Sequence, residues 1–223
     1  MAWFSNFRSS SIGRKTLMAI TGLFLLLFLL GHMAGNLQFF AGPDTLNAYA
    51  AALRHNALLL WVMRGGLIVL FVLHVVTAIQ LTLANKAARP EPYAMQKPVA
   101  STLASRTMVI SGLAILGYTL FHLAHLTAGI IGPEHRLQPG IDVPDAYANV
   151  VAGFSNWLIA LVYIIMMVVL YFHLSHGAQS ALQTLGFNHP KYTPCLRRVL
   201  GGLVLLICAG FISIPLAVLL GWH

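Results

Sequence analysis

Charged residues are scarce in this sequence: only 8% of its 223 residues are Asp, Glu, Lys or Arg, and only five are acidic. Hydrophobic residues make up 58%, well above the share found in soluble domains. This composition excludes an ordinary soluble fold and predicts an all-α membrane protein. The net charge of +8 comes from short polar connections, so we interpret it as a topology signal and expect no nucleic-acid partner.

Cysteine is also rare, and its placement excludes several kinds of metal site. Cys195 and Cys208 form no CxxC and no CxxCH motif, so covalent haem attachment and protein-held iron–sulfur or zinc sites are unsupported. The polar and basic stretch from Ser9 to Lys15 leads into an apolar run too long for a signal peptide, so we expect a retained membrane anchor. What the chain does have is ten histidines.

Long apolar runs predict a single membrane domain, residues 1–223, of five transmembrane helices in a bundle. A spanning helix needs about 20 mainly apolar residues, and five segments meet this requirement: 16–40, 57–85, 104–130, 155–183 and 199–221. Turn-rich stretches separate them, and we expect loops at 42–47, 89–98, 132–145 and 188–194.

The distribution of lysine and arginine predicts the orientation of these helices. If the segments alternate in direction, one side receives Arg8, Arg14, Lys15, Lys86, Arg89, Lys97, Arg106, Lys191, Arg197 and Arg198. The other side receives Arg54, Arg64 and Arg136. Because positive charge accumulates on the cytoplasmic side, we expect the N-terminus in the cytoplasm and the C-terminus outside, in the inner (cytoplasmic) membrane of a cell. The outer loops also carry four acids: Asp44, Glu134, Asp142 and Asp145.

Histidines within the apolar segments are the strongest functional signal. At about 1.5 Å per residue from the cytoplasmic end, His32 and His122 lie roughly 24 and 27 Å deep. On the same scale of about 1.5 Å per residue, His74 and His173 lie roughly 16 and 15 Å deep. An ionisable side chain at membrane depth is a functional candidate that needs a partner. The depths predict two facing pairs, the first and third helices supplying one and the second and fourth the other.

A pair of imidazoles at one depth is what a six-coordinate haem iron requires, because the porphyrin supplies the other four nitrogens. The sequence therefore predicts two haem b groups. Small residues beside the outer pair would leave room for a porphyrin: Gly31, Gly35, Gly112 and Gly117. For Gly31 and Gly35 a small-xxx-small helix contact is an equal alternative.

His125 and His176 each follow a proposed ligand by three residues, on a neighbouring face and one turn nearer a membrane surface. We interpret them as supporting or propionate-side groups, with snorkelling towards the interface as the alternative. Basic residues near helix ends have two candidate roles, contact with haem propionates or with lipid phosphates: Arg14, Lys15, Arg64 and Arg106. Position alone offers four quinone-contact candidates near the outer pair: Asn36, Gln38, Tyr49 and Trp61.

Several motifs resemble one family over nearly the whole chain. They are SIGRKTLMAITGL and GHMAGNLQFF in the first helix, VLHVV in the second, FHLAHL in the third and FHLSHGAQSALQTLG in the fourth. Together they resemble the five-helix, di-haem cytochrome b anchor of succinate:quinone oxidoreductases and quinol:fumarate reductases. HMAGN and HLSHG are distinctive, whereas VLHVV alone is weak.

The resemblance implies that His32, His74, His122 and His173 ligate the haem irons, His32 with His122 for the outer haem and His74 with His173 for the cytoplasmic-side haem. It also implies two partner subunits, an iron–sulfur protein and a flavoprotein that interconverts succinate and fumarate. FAD, the clusters and the dicarboxylate active site would belong to those partners, and this chain would exchange electrons with quinone, menaquinone being favoured. Either direction of transfer is compatible with the residues.

One position departs from the family pattern. Some fumarate reductases of this type carry a glutamate two residues before the ligand on the fourth helix, where this chain has Tyr171. No acid lies within the predicted helix cores, so we expect electron transfer here to move uncompensated charge across the membrane. Each electron crossing against 100 mV costs about 2.3 kcal/mol. An uncoupler that left succinate-to-menaquinone activity in sealed vesicles unchanged would contradict this expectation.

Three other functions are compatible with parts of the pattern. A proton-relaying transporter would need polar residues along a path, which the apolar segments largely lack. A haem-bearing anchor of a hydrogenase or formate dehydrogenase would share the ligands but have different partners. A membrane di-iron oxidase would need histidine or carboxylate clusters that the sequence does not have.

Overall fold

The computed structural model describes residues 10–88, 102–139 and 143–223, which are mainly helical. The helices are α1 Ser11–Asn36, α2 Pro43–His55, α3 Ala57–Ala87, α4 Leu103–Arg106, α5 Met108–His122, α6 Ala146–Phe154, α7 Trp157–Thr184 and α8 Thr193–Leu219. A 3₁₀ turn, Leu37–Ala41, extends α1, and a π-helical turn, Leu123–Thr127, extends α5. Within these described ranges, five helices are long and apolar enough to cross a membrane: α1, α3, α5, α7 and α8.

The predicted all-α fold with five membrane-spanning helices is confirmed. Polar caps explain where several helices begin, because a side-chain oxygen can satisfy an unpaired N–H of the first turn. Ser10 caps α1, Asn56 caps α3 and Asn156 caps α7. The largest difference from the predicted ends is at α8, which begins at Thr193 and not at 199. Its second residue is a proline, a type favoured at helix starts.

The third segment is interrupted where the sequence predicted one continuous helix. Helix α4 stops at Arg106, and Thr107 has φ −98° and ψ 6° before α5 begins. The Thr107 hydroxyl donates to the carbonyl of Leu103 at 3.0 Å, a side-chain contact that commonly bends helices. Beyond His122 the helix widens into the π turn, a feature frequent at functional sites.

Two short helices lie outside the five predicted spanning segments. Helix α2 begins where the sequence predicted a loop, and α6 lies where it predicted no regular secondary structure. The predicted loop at 42–47 is wrong, since α2 starts at Pro43 after Gly42 with φ 95°. Glycine before a helix, proline in its first turn and the acidic Asp44 are helix-start signals. The same residue types are also turn signals, and it is as turn signals that the sequence predicts a loop here. The loops at 132–145 and 188–194 are confirmed for most of their described residues, and 89–98 lies outside the described part of the chain.

Four helices form a four-sided bundle. Helix α1 packs against α3 and α7, while α5 packs against α7 and more lightly against α3. The diagonal partners are therefore α1 with α5 and α3 with α7, and in the described residues neither diagonal is closely packed. Helix α8 lies outside the square against α7 and α1.

Helices α2 and α6 pack together across one end of the bundle, which we call the capped end. The Asn47 amide of α2 donates to Asp145 Oδ1 at 3.0 Å, and its oxygen accepts from the Tyr147 N–H at 3.1 Å. Asn149 of α6 holds the preceding loop, accepting from the Arg136 N–H at 2.7 Å and donating to the Arg136 carbonyl at 3.1 Å. An apolar cluster lies beneath these bonds: Phe39, Leu46, Phe154, Ala160, Tyr163, Ile214, Ala217 and Val218.

The basic residues of the predicted cytoplasmic side lie at the opposite end, which we call the open end. Their described members lie near the N-termini of α1, α5 and α8 or the C-terminus of α3: Arg14, Lys15, Lys86, Arg106, Lys191, Arg197 and Arg198. Arg54, Arg64 and Arg136 lie towards the capped end. Arg8, Arg89, Lys97 and Asp142 lie outside the described residues. The side of the membrane that each end faces remains a prediction.

Candidate functional site

His32 of α1 and His122 of α5 meet across one diagonal of the bundle, near the capped end. Their ring centroids are 6.0 Å apart and the ring planes are almost perpendicular, at 83°. Phe28 stacks on the His32 ring at 5.2 Å, and Phe211 of α8 lies 5.6 Å from it. Two imidazoles from separate helices thus meet edge to face, with aromatic neighbours around them.

This spacing suits two ligands on opposite sides of one metal. Imidazole nitrogen binds a first-row metal at about 2 Å, which puts the two ring centroids roughly 6 Å apart. Among the described residues no group of three or more His, Cys, Asp or Glu side chains is arranged to hold a bare metal ion. A lone imidazole pair is instead the donor set for a metal that brings its own equatorial nitrogens, as haem iron does.

His74 and His173 lie on the other diagonal, and each contacts a hydroxyl on a neighbouring helix. His74 Nδ1 lies 3.2 Å from the hydroxyl oxygen of Thr21, and His173 Nδ1 lies 3.1 Å from that of Ser111. Each hydroxyl can donate its only hydrogen to a carbonyl of its own helix, that of Leu17 at 2.8 Å for Thr21 and of Met108 at 3.1 Å for Ser111. The hydroxyl oxygens are then left to accept from Nδ1–H. That tautomer leaves the lone pair of each Nε2 free to bind a metal.

The two hydroxyls occupy equivalent places on α1 and α5. The sequence reads Thr21-Gly22, nine residues, His32 on α1 and Ser111-Gly112, nine residues, His122 on α5. Eleven residues are close to three helical turns. Each hydroxyl therefore lies on the same helix face as the histidine of its own helix, His32 or His122, and about 16 Å from it along the axis. His74 and His173 therefore lie at one level, and His32 and His122 at another. This hydroxyl–glycine–histidine spacing was visible in the sequence and was missed.

The glycines beside these histidines have two different roles. A Cβ on Gly22 would lie 3.2 Å from His74 Cε1, and one on Gly112 would lie 3.5 Å from His173 Cε1. Nothing lies within 4 Å of a Cβ built on Gly31 or Gly117, and both residues are exposed, so the room that they were predicted to leave for a porphyrin stays a prediction. Neither member of the Gly31–Gly35 pair is seen in a small-residue contact between spanning helices.

Gly35 instead receives the Tyr49 ring of α2, which lies against its backbone. Two of the other residues that were predicted as quinone contacts from their position, Asn36 and Trp61, have partners within the chain. Asn36 donates to the His32 carbonyl at 2.7 Å and also lies 3.4 Å from His32 Nδ1. Trp61 is exposed and lies beneath the Arg64 guanidinium. No described contact singles out Gln38.

His125 is fully buried, so the snorkelling alternative is wrong for this residue. Its Nδ1 lies 2.9 Å from the hydroxyl of Tyr163 on α7, which also lies 3.3 Å from His122 Nδ1. The sequence reasoning missed Tyr163, because only the fold places it beside the third helix. His135 donates from Nε2 to the His125 carbonyl at 3.2 Å, and His176 is half-buried.

Comparison with protein families matches the chain to the family described as succinate dehydrogenase/fumarate reductase transmembrane subunit. The match covers residues 82–214, more than half of the 223-residue chain. It includes His122 and His173 and begins after His74. Neither the curated proteins nor the solved structures compared with the chain gave a match.

Proposed function

Because this chain belongs to the succinate dehydrogenase/fumarate reductase transmembrane subunit family, we propose that it is a di-haem b anchor that carries electrons between an iron–sulfur partner subunit and membrane quinone. The observation that supports this most is the meeting of His32 and His122 across one diagonal of the bundle, with His74 and His173 each beside a hydroxyl at a second level. His32 with His122 would hold one haem, and His74 with His173 the other. Haem iron, when bound, supplies one-electron redox chemistry.

The protein's contribution is to hold the four imidazoles that would bind the haem irons. Each of the four imidazoles lies on a different helix, and all four are only partly buried. Thr21 and Ser111 orient His74 and His173 by accepting their Nδ1 protons, an arrangement that raises the basicity of the metal-binding nitrogen. Gly22 and Gly112 allow these rings to lie close to the helix backbones. The membrane-spanning helices exclude water from both levels.

The absence of acids from the spanning helices supports electron transfer over proton transport. All five acidic residues of the chain, at positions 44, 91, 134, 142 and 145, lie outside the five spanning helices. A proton relay through the bundle would need ionisable or polar groups in series. In this proposal the histidines instead act as two separate pairs, about 16 Å apart along the helix axes.

A reduced-minus-oxidised absorption spectrum of the purified complex tests this proposal. We expect two bis-histidine haem b signals, one lost in a His32→Ala/His122→Ala variant and the other in a His74→Ala/His173→Ala variant. His189→Ala is the matched control, because His189 stacks on Tyr192 in an exposed connection, and it should keep both signals. A pigment-free complex, or loss of both signals with either pair alone and full assembly retained, would refute it. Copurification of a flavoprotein and an iron–sulfur protein would identify the partners.

A further inference from the structure

The hydroxyl of Tyr163 lies between two imidazoles and is shielded from solvent. Its oxygen is 3.3 Å from His122 Nδ1 and 2.9 Å from His125 Nδ1. The Tyr163 side chain is buried, with Phe154 packed edge-on against its ring at 4.8 Å and Tyr118 at 5.2 Å. A phenol has one hydrogen to donate, so it cannot donate to both imidazoles. In a satisfied arrangement one ring donates to the oxygen and the other accepts from it.

Metal binding at His122 decides between the two arrangements. If His122 binds through Nε2, its only N–H is at Nδ1 and must donate to the Tyr163 oxygen. Tyr163 then donates to His125 Nδ1, which is the shorter of the two contacts. His125 carries its own proton on Nε2, an atom that is buried without a hydrogen-bond partner among the described residues. Gly153 leaves room for this ring, since a Cβ there would lie 2.9 Å from that nitrogen.

We propose that Tyr163 is a positioning residue for the haem held by His32 and His122. Tyr163 accepts the Nδ1 proton of His122 and so fixes both the tautomer and the orientation of the ring, while His125 holds the hydroxyl in the accepting orientation. The inference rests on the proposed function, since it assigns a role towards that haem. A hydrogen bond from Nδ1–H raises the basicity of the ligating nitrogen. Tyr163 therefore favours the ferric state and lowers the midpoint potential of this haem.

The effect should be confined to one haem. Ser111 and Thr21 serve His173 and His74 at the other level, about 16 Å along the helix axes, and Tyr163 makes no described contact there. Ser111 is thus the counterpart of Tyr163 for the second haem. Removing one hydroxyl should shift one potential and leave the other unchanged.

Redox titration of the purified holo-complex, followed by absorption and by electron paramagnetic resonance of the ferric haems, tests this assignment. We expect Tyr163→Phe to raise the midpoint potential and alter the ferric signal of the His32/His122 haem alone. Ser111→Ala should shift the other haem alone. Tyr118→Phe is the matched control: it removes a hydroxyl from a ring equally near His122 that makes no hydrogen bond within the described residues. It should shift neither.

His125→Phe supplies a second test, which also applies if Tyr163→Phe does not assemble. It leaves the Tyr163 hydroxyl without its acceptor, so it should shift the same haem in the same direction by a smaller amount. Adding His125→Phe to Tyr163→Phe should give no further shift, because the two residues act through one hydrogen bond. A fully loaded Tyr163→Phe complex with the wild-type potential and ferric signal, an additive double variant, or no shift with His125→Phe would each overturn the inference. A wild-type complex without haem would instead refute the proposed function.

Discussion

Replacing Gly35 with alanine tests how tightly the capped end is packed against α1. A Cβ on Gly35 would lie 2.5 Å from the Tyr49 hydroxyl oxygen and 2.8 Å from Cε1 of the same ring. These distances are too short for van der Waals contact, so either the ring or the helix must move. The ring cannot move freely, because Tyr49 packs against the apolar cluster beneath the cap.

The magnitude follows from two opposing effects. Alanine in a helix interior is more stable than glycine by about 0.5–1 kcal/mol, whereas overpacking a filled site costs about 1–3 kcal/mol. Gly35→Ala should therefore lower the free energy of unfolding by up to roughly 2 kcal/mol. For a chain of this size that corresponds to a fall in Tm of up to about 8 °C. Gly202→Ala in α8, where nothing lies within 4 Å of the new Cβ, should raise stability slightly.

Thermal unfolding of the detergent-solubilised complex, measured in a double-mutant cycle, separates the clash from general effects. In a Tyr49→Ala background the clash is absent, so Gly35→Ala should become neutral or stabilising. The coupling energy between the two positions should equal the overpacking cost of about 1–3 kcal/mol. If Gly35→Ala had the same effect with and without the Tyr49 ring, the packing argument would be wrong.

Two further predictions concern the cap and the orientation. Asn149→Ala removes both side-chain hydrogen bonds to the Arg136 backbone. It should lower the free energy of unfolding by about 1–3 kcal/mol. We expect faster proteolysis of the adjoining loop as well, and unchanged proteolysis would contradict the cap's structure. Cys195 is exposed near the open end and Cys208 is buried in α8, so a membrane-impermeant maleimide should label only Cys195. Labelling should occur in inside-out vesicles and not in intact cells, and the reverse pattern would contradict the predicted topology.

The spanning helices could be predicted from the sequence because a bilayer requires long apolar runs with satisfied backbones. Helices α2 and α6 could not be found by that criterion, since they are short and lie outside the runs. The local signals at Gly42, Pro43 and Asp44 were available, but turns and helix starts use the same residue types.

The candidate site, too, could be predicted only in part from the sequence. Counting residues along each helix predicted the two levels and the pairing of helices one with three. The count cannot reveal side-chain partners that come from another helix. Tyr163 meets His122 only because α7 packs against α5. The hydroxyl–glycine–histidine spacing at Thr21 and Ser111, by contrast, was readable from a single chain once the two helices were aligned on their histidines.

The cap has a consequence for the order in which the protein is made. Asn47 and Asp145, which join its two halves, are 98 positions apart in the sequence. Ribosomes deliver residues from the N-terminus onwards, so three membrane crossings are synthesised before the second half of the cap exists. The nascent chain must therefore pass through a stage in which this end of the bundle is uncovered. A bulky group that ends up beneath the cap can enter from this end during that interval, before the two short helices meet.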